Sequence, residues 1–306
     1  MLPTQVRALI SASSGFSSYQ GRILPWEPDA QDRILIIAPH PDDEVLAAGG
    51  LIATVSKSYD LANIRVVVAT NGDASYATAI FHGSHLFTRK NFRRQALQRQ
   101  QESLNALACL GLGAEQVHFW GFPDRGLASL WRRHLKMKRP YYSATTGYRN
   151  SAQALNSPIL PFFGASLLAL LEEELFEFQP TIVVMPHPQD NHPDHWALAE
   201  FTILAARNYH QRINVSPPAY FAYWMWRQAK PFLGGMSLRN RARWVVRKDI
   251  SLTEMRCLAL TADVHMQKAR ALRSYSSQKV AAGKLLLDAA RSHSEVFTLL
   301  QPASQT

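Results

Sequence analysis

With 306 residues, 47% hydrophobic and 18% charged, the chain is long enough to bury a sizeable core, and its composition is neither disordered nor fibrous. Lys and Arg number 33 against 23 Asp and Glu, a formal charge of +10, which favours an anionic partner without choosing among nucleic acid, a membrane surface and an acidic substrate. No apolar run reaches the roughly 20 residues that span a bilayer, the start through Gln20 lacks a signal-like apolar stretch, and the two distant cysteines, Cys109 and Cys257, indicate neither a disulfide framework nor a thiolate zinc site, so a reduced, cytoplasmic protein is expected.

The first predicted strand, 33–39, is a short β-branched run that ends at His40-Pro41-Asp42-Asp43-Glu44. A helix over 44–58 contains Gly49-Gly50, which lacks a G-x-G-x-x-G context and is therefore assigned to helix packing against a sheet. Strands at 64–70 and 116–121 bracket a helix at 92–110, on which Arg99 and Glu102 are three apart; the spacing predicts a surface ion pair worth under about 1 kcal/mol. The region 125–161 is predicted irregular, with Trp131, Tyr141, Tyr142 and Tyr148 interleaved among Arg132, Arg133, Lys136, Lys138, Arg139 and Arg149. A loop of that length in a compact protein is functional or disordered.

A helix at 162–178 leads to a buried strand at 181–186, which ends at a second cluster, His187-Pro188-Gln189-Asp190-Asn191-His192-Pro193-Asp194-His195. Pro193 suits the first turn of the following helix, 196–208. Pro217-Pro218 then separates this part from predicted strands at 219–226 and 243–246, a basic stretch at 236–248 and a helix at 266–280. Alternating strands and helices argue an α/β, Rossmann-like fold: a mostly parallel, doubly wound sheet with helices on both faces and a C-terminal strand and helix extension. One domain over 1–306 is expected, with a core at about 33–210 completed by about 215–300.

Open α/β sheets carry their chemistry at the carboxyl ends of strands. Two clusters rich in acids and histidines at two such ends suggest one metal site. The carboxylates of Asp42 and Asp43, adjacent in sequence, are expected to diverge, one for a metal and one for substrate. His192 and His195, three apart, address one side of a helix start, and two imidazoles with a carboxylate suit zinc. Asp190 and His187 are assigned to the rim or to the support of a ligand. Glu44 is either a partner of a ligand histidine or a first-turn acid on the helix dipole. His82, His85, His134, His210 and His293 read as loop histidines, and His118 and His265 as structural.

The pairing of His40-Pro41-Asp42-Asp43-Glu44 with His192-Pro193-Asp194-His195 resembles the PIG-L/LmbE-like zinc-dependent de-N-acetylases, which remove acetyl groups from N-acetylglucosaminyl conjugates. Thr70-Asn71-Gly72-Asp73, Arg99-Gln100-Gln101-Glu102, Phe122-Pro123-Asp124 and Tyr275-Ser276-Ser277-Gln278 extend the similarity over about 33–297. The resemblance implies that His40, Asp43 and His195 hold Zn2+, or another divalent ion such as Fe2+. It implies that Asp42 is the general base, and that His192, supported by Asp194, stabilises the oxyanion and protonates the leaving amine. Candidate substrate contacts are Arg99, Asp124, Tyr141 and Tyr142. Pro39, where the family more often has Ala, is a departure that removes a backbone donor.

The expected partner is an amino-sugar glycoconjugate, small or lipid-linked and possibly anionic. Two further readings are a non-catalytic carbohydrate-binding protein of the same fold and a deacylase of another N-acyl substrate. Nucleic acid is not expected, because no recognised nucleic-acid motif accompanies the basic stretches.

Overall fold

The computed structural model describes residues 22–76, 78, 87–135, 138–155, 157–212, 218–225 and 254–300. The predicted strand at 243–246, the basic stretch at 236–248, His82, His85 and Lys136 lie outside the described residues.

Among the described residues, eight strands form one sheet in the order β1-β7-β8-β6-β5-β2-β3-β4. They are β1 (Arg22–Pro25), β2 (Ile34–Ala38), β3 (Ile64–Thr70), β4 (Val117–Phe122), β5 (Ile182–Pro186), β6 (Ala219–Tyr223), β7 (Glu254–Ala259) and β8 (Ser294–Leu300). Strands β2 to β6 pair in parallel, as does β1 with β7, and β8 is antiparallel to both β6 and β7. The α-helices among the described residues are α1 (Asp43–Ser58), α2 (Arg89–Cys109), α3 (Leu127–Arg132), α4 (Gly164–Phe178), α5 (Pro193–Arg212), α6 (Ala262–Leu272) and α7 (Gly283–Arg291).

The alternation of side chains along β2 explains both layers. Ile34, Ile36 and Ala38 pack with Val45 and Leu51 of α1, Leu107 of α2 and Leu272 of α6. Leu35 and Ile37 join the opposite core with Leu171 and Leu175 of α4 and Leu198 and Phe201 of α5. Helices thus cover both faces, as the continuous apolar strands predict. From β2 the chain runs outward through β3 to β4, then returns across the sheet to β5 on the other flank of β2. That reversal opens a crevice beyond the ends of β2 and β5, where both clusters sit.

The structure corrects several predicted elements. The helix predicted at 266–280 is α6, Ala262–Leu272, which starts one residue after Thr261, whose side chain accepts from the Val264 N–H. It stops at Leu272 because Tyr275 is pulled fully inside and Ser276 and Ser277 are engaged by Glu102. Strands β1, β7 and β8 were not among the predicted elements. Helix α3 is a short ordered turn inside the region read as irregular, and β6 ends at Tyr223. Gly49 and Gly50 do serve packing: Gly49 against Lys268 of α6, and Gly50 against Leu260 and against Glu295 of strand β8.

Candidate active site

The turn after β2 is held in an uncommon shape. Asp42 has φ 129° and ψ −32°, a backbone region that residues with a Cβ occupy at a cost of about 1–3 kcal/mol and that concentrates at functional sites. The Thr70 N–H donates to the Pro39 carbonyl at 2.9 Å, so Pro39 keeps its acceptor role in the sheet. Arg99 donates to the carbonyls of Pro41 at 2.6 Å and Gly72 at 2.9 Å and pairs with Asp42 Oδ2 at 3.2 Å. The predicted surface pair of Arg99 with Glu102 is therefore replaced: Arg99 is buried under the turn, and Glu102 accepts from Ser276 and Ser277.

Of its two expected roles, Glu44 fills that of a first-turn acid of α1. Its Oε2 accepts the Asp42 N–H at 2.9 Å, and its Oε1 accepts the Tyr275 hydroxyl at 2.7 Å and the Ser103 hydroxyl. No histidine is among these partners. Glu44 is the acceptor that closes the Asp42 turn from below.

The second turn is tied to β6 and to itself. The His187 N–H donates to the Tyr223 carbonyl at 2.8 Å, and Asp190 accepts from the His192 N–H at 2.8 Å and the Met225 N–H at 3.0 Å. His187 lies flat against Trp224 with ring centroids 3.7 Å apart, which makes it a packing residue. The first turn of α5 then presents His192 and His195 to His40, with ring centroids 4.8 Å and 5.4 Å from it.

Between the two turns lies Asp43. Its Oδ2 is 3.0 Å from His40 Nδ1 and 3.2 Å from His195 Nε2. Neighbouring ligands on a tetrahedral zinc ion with bonds of about 2.0–2.1 Å are separated by about 3.3 Å, and both contacts of Asp43 Oδ2 are near that spacing. Each imidazole is backed by a carboxylate on its far nitrogen: His40 Nε2 lies 3.3 Å from both Asp124 Oδ1 and Asp194 Oδ2, and His195 Nδ1 lies 3.5 Å from Asp190 Oδ2. Such partners fix the tautomer and raise ligand basicity. His195 is fully buried, yet neither ring nitrogen makes a well-directed hydrogen bond, as expected of a ligand whose nitrogen is kept for a cation. Two overlapping groups also bring ligand atoms within 4.8 Å of one another, His40 with His192 and His195, and His40 with Asp124 and Asp194.

The electrostatics favour positive charge here. Burial opposes the Asp43 carboxylate, but His195 and His40 beside it hold its pKa far below the usual range. Burial likewise opposes the His40 imidazolium, yet Asp124, Asp194 and Asp43 hold its pKa well above normal, and Asp43 and Asp190 lift His195 to about 9. Asp42 is pushed the other way, to about 7, mainly by burial and by repulsion from Asp43 and Glu44 against the pull of Arg99. Burial and the repulsion of His40 and His195 hold the His192 pKa well below normal, so its ring is neutral.

The structure revises the partnership of His192 with Asp194. The Asp194 carboxylate is spent elsewhere, accepting from the N–H groups of Arg125 at 2.5 Å and Leu127 at 3.0 Å and facing His40. What reaches His192 is the Asp194 backbone N–H, which donates to Nδ1 at 3.2 Å. A neutral ring that accepts at Nδ1 carries its proton on Nε2.

Of the remaining candidates, Asp124 sits beside His40 and accepts the Ala74 N–H at 2.8 Å. Tyr141 is half-buried, its hydroxyl made less acidic first by burial and then by Asp194, Asp73 and Asp124, which places it by the acids of the crevice. Tyr142 is exposed, hydrogen-bonded to Arg89 at 2.6 Å and flanked by Arg149. The aromatics of the irregular region form no single wall: Trp131 packs edge-on against Phe201 in the core, and Tyr148 lies under Arg93. Ser103, Tyr275 and Asp73 were not singled out for a role. Asp73 accepts the Asp124 N–H at 3.2 Å, and burial with the neighbouring Asp124 charge pushes its own pKa to about 7.

Residues 35–206 match the PIG-L family, described as GlcNAc-PI de-N-acetylase. Among solved structures, the A40926 pseudoaglycone deacetylase Dbv21 is 19% identical, covers 91% of this chain and all (100%) of its own, and superposes with a TM-score of 0.57. The zinc-inhibited form of the teicoplanin deacetylase Orf2 is 18% identical over 90% of this chain and 100% of its own, with a TM-score of 0.57. GalB, the 4-carboxy-2-hydroxymuconate hydratase from Pseudomonas putida KT2440, is 16% identical over 87% of this chain and 94% of its own, with a TM-score of 0.51. At these identities the likeness is one of fold, and a hydratase among them shows that the fold alone does not set the reaction. No curated protein matches the chain.

Proposed function

The chain belongs to the PIG-L family, enzymes that act on N-acetyl amide bonds, and on that premise we propose that it removes the acetyl group from an N-acetylglucosaminyl-type glycoconjugate by metal-dependent hydrolysis. The observation that carries this reading is the position of Asp43 Oδ2, within 3.2 Å of a nitrogen on both His40 and His195. Those three residues would hold the ion, and their mixed nitrogen and oxygen donor set suits zinc, with ferrous iron as the competitor. When bound there, such an ion supplies Lewis acidity to the carbonyl and to a water, lowering the pKa of that water to about 7.

Asp42, with a pKa of about 7, takes the proton of the attacking water, and the Arg99 guanidinium steadies its carboxylate between cycles. The Nε2–H of His192 would hydrogen-bond the carbonyl oxygen as negative charge develops there, and the proton that Asp42 takes from the water goes to the departing amine, restoring both groups. Asp194 acts at one remove, orienting His40 through its carboxylate and His192 through its backbone. Asp124 and Tyr141 are the nearest candidates for sugar hydroxyls. Arg89 and Arg149 around Tyr142 suit an anionic substituent further out.

The test is a mass-shift screen of purified, zinc-loaded protein against N-acetylglucosaminyl inositols, malates, lipids and oligosaccharides. Loss of one acetyl group with appearance of a free amine supports the proposal. Silence across these classes with zinc bound contradicts it and favours another acyl group or a binding role.

A further inference from the structure

Helix α1, which follows directly from the Asp42 turn and contributes Asp43, is broken. Ala48 has φ −133° and ψ 16°, outside the helical region. In an uninterrupted helix the N–H groups of Gly50 and Leu51 would point to the carbonyls of Leu46 and Ala47. Here they donate to a side chain from β8: Gly50 to Glu295 Oε1 at 2.6 Å and Leu51 to Glu295 Oε2 at 2.9 Å. On the other side of the break, Lys268 Nζ of α6 donates to the Leu46 carbonyl at 3.2 Å and to Glu295 Oε1 at 2.6 Å. One ion pair thus takes up two donors beyond the kink and an acceptor before it. Glu295 acts as an anionic cap on the second segment of α1, where the helix dipole favours negative charge.

The glycine pair makes room for this arrangement. A Cβ on Gly50 would come within 2.4 Å of Leu260 Cδ2 and 3.0 Å of Glu295 Cδ, and one on Gly49 would meet Lys268 Cγ at 3.2 Å. Side chains at either position would displace the carboxylate or the lysine stem from the helix backbone. The pair is also enclosed, with each side chain only 2% exposed. A buried ion pair costs several kcal/mol of desolvation per ion and is a weak source of stability compared with apolar packing, so its position in the helix break points to a geometric role.

From these observations we infer that Lys268 and Glu295 are positioning residues: they set the angle at which the first turn of α1 meets the crevice, and with it the approach of Asp43 to His40 and His195. Tyr275, on the same C-terminal segment, fixes the same turn through Glu44. The segment from α6 to β8 therefore tensions the first cluster from two points, Leu46 and Glu44. The inference rests on the reading of Asp43 as a ligand.

The experiment titrates metal-free wild type, Lys268→Met and Glu295→Gln with Co2+ alone, following the visible absorption that reports coordination geometry, and measures kcat and KM on the zinc-loaded proteins. Glu295→Asp, which keeps the charge but shortens the reach, replaces either neutral variant that fails to fold. Leu286→Ala in α7, which trims apolar packing without touching α1's polar contacts, controls for lost stability. The expected result is Co2+ affinity weakened about tenfold with an altered spectrum, and kcat reduced by a similar factor at unchanged KM, in the variants but not in the control. Lowered thermal stability with wild-type Co2+ affinity, spectrum and kcat would overturn the positioning role alone. A wild type that takes up no Co2+ would instead overturn the ligand reading and this inference with it.

Discussion

Replacing Glu44 with Gln removes one charge and exchanges one oxygen for an amide NH2 at a site where every atom is engaged. The two hydroxyl donors on Oε1, from Ser103 and Tyr275, keep an acceptor, but the Asp42 N–H on Oε2 at 2.9 Å then faces another donor. Losing a hydrogen bond to a charged group costs about 1.5–3 kcal/mol, and a buried N–H left unpaired costs about 1–3 kcal/mol. Relief of burying the carboxylate, the burial that raises the Glu44 pKa, offsets part of this. A net loss of about 1–3 kcal/mol is expected, read as a lower urea midpoint at unchanged slope. The larger effect falls on rate, because Asp42 is held at φ 129° by this bond, and a displacement of about 1 Å at a reacting group can cost about 100-fold. Steady-state kinetics on fully zinc-loaded Glu44→Gln should show kcat down by about 10–100-fold with KM within about twofold. Loss of stability with kcat unchanged would refute the claim that Glu44 acts through the Asp42 turn.

Two further perturbations probe the support of the site. Asp190→Asn weakens the carboxylate 3.5 Å from His195 Nδ1 and should reduce zinc affinity about tenfold in a competitive chelator titration; unchanged affinity would remove Asp190 from the support of the metal. Arg99→Gln removes the larger of the two neighbouring influences, Arg99 and His40, that lower the proton affinity of Asp42. Since the ionised carboxylate is the working base, its pKa should rise further and the acid limb of the kcat/KM profile should move to higher pH; a limb that stays in place would separate Asp42 from that titration.

The two halves of the site were legible because their physical causes are local. β2 and β5 are buried on both faces and so read as continuous apolar runs, and the polar turns that follow them stand out against that background. The ligand residue types lie within these turns. What could not be read is what joins distant elements. Nothing in the spacing of Asp194 reveals that its carboxylate turns toward His40, 154 positions away, or that its backbone alone meets His192. Glu44 could be read as a first-turn acid or as a partner of a ligand histidine, but not as the acceptor of Ser103 and Tyr275, which come from two other elements. β7 was missed because it carries Glu254 and Arg256, which pair with each other at 2.6 Å, and a strand with charges has no clear apolar period. Trp131 fell in the stretch predicted irregular among basic neighbours, whereas the short helix α3 turns it onto Phe201.

The central claim is that His40, Asp43 and His195 hold the ion while Asp42 works on the water. Metal analysis of purified Asp42→Ala and His195→Ala, each loaded with zinc and freed of excess, tests it most directly. Asp42→Ala should retain about one zinc per chain with turnover lost by several orders of magnitude, and His195→Ala should lose both zinc and turnover. Full zinc occupancy in His195→Ala, or loss of zinc from Asp42→Ala, would contradict the division of roles.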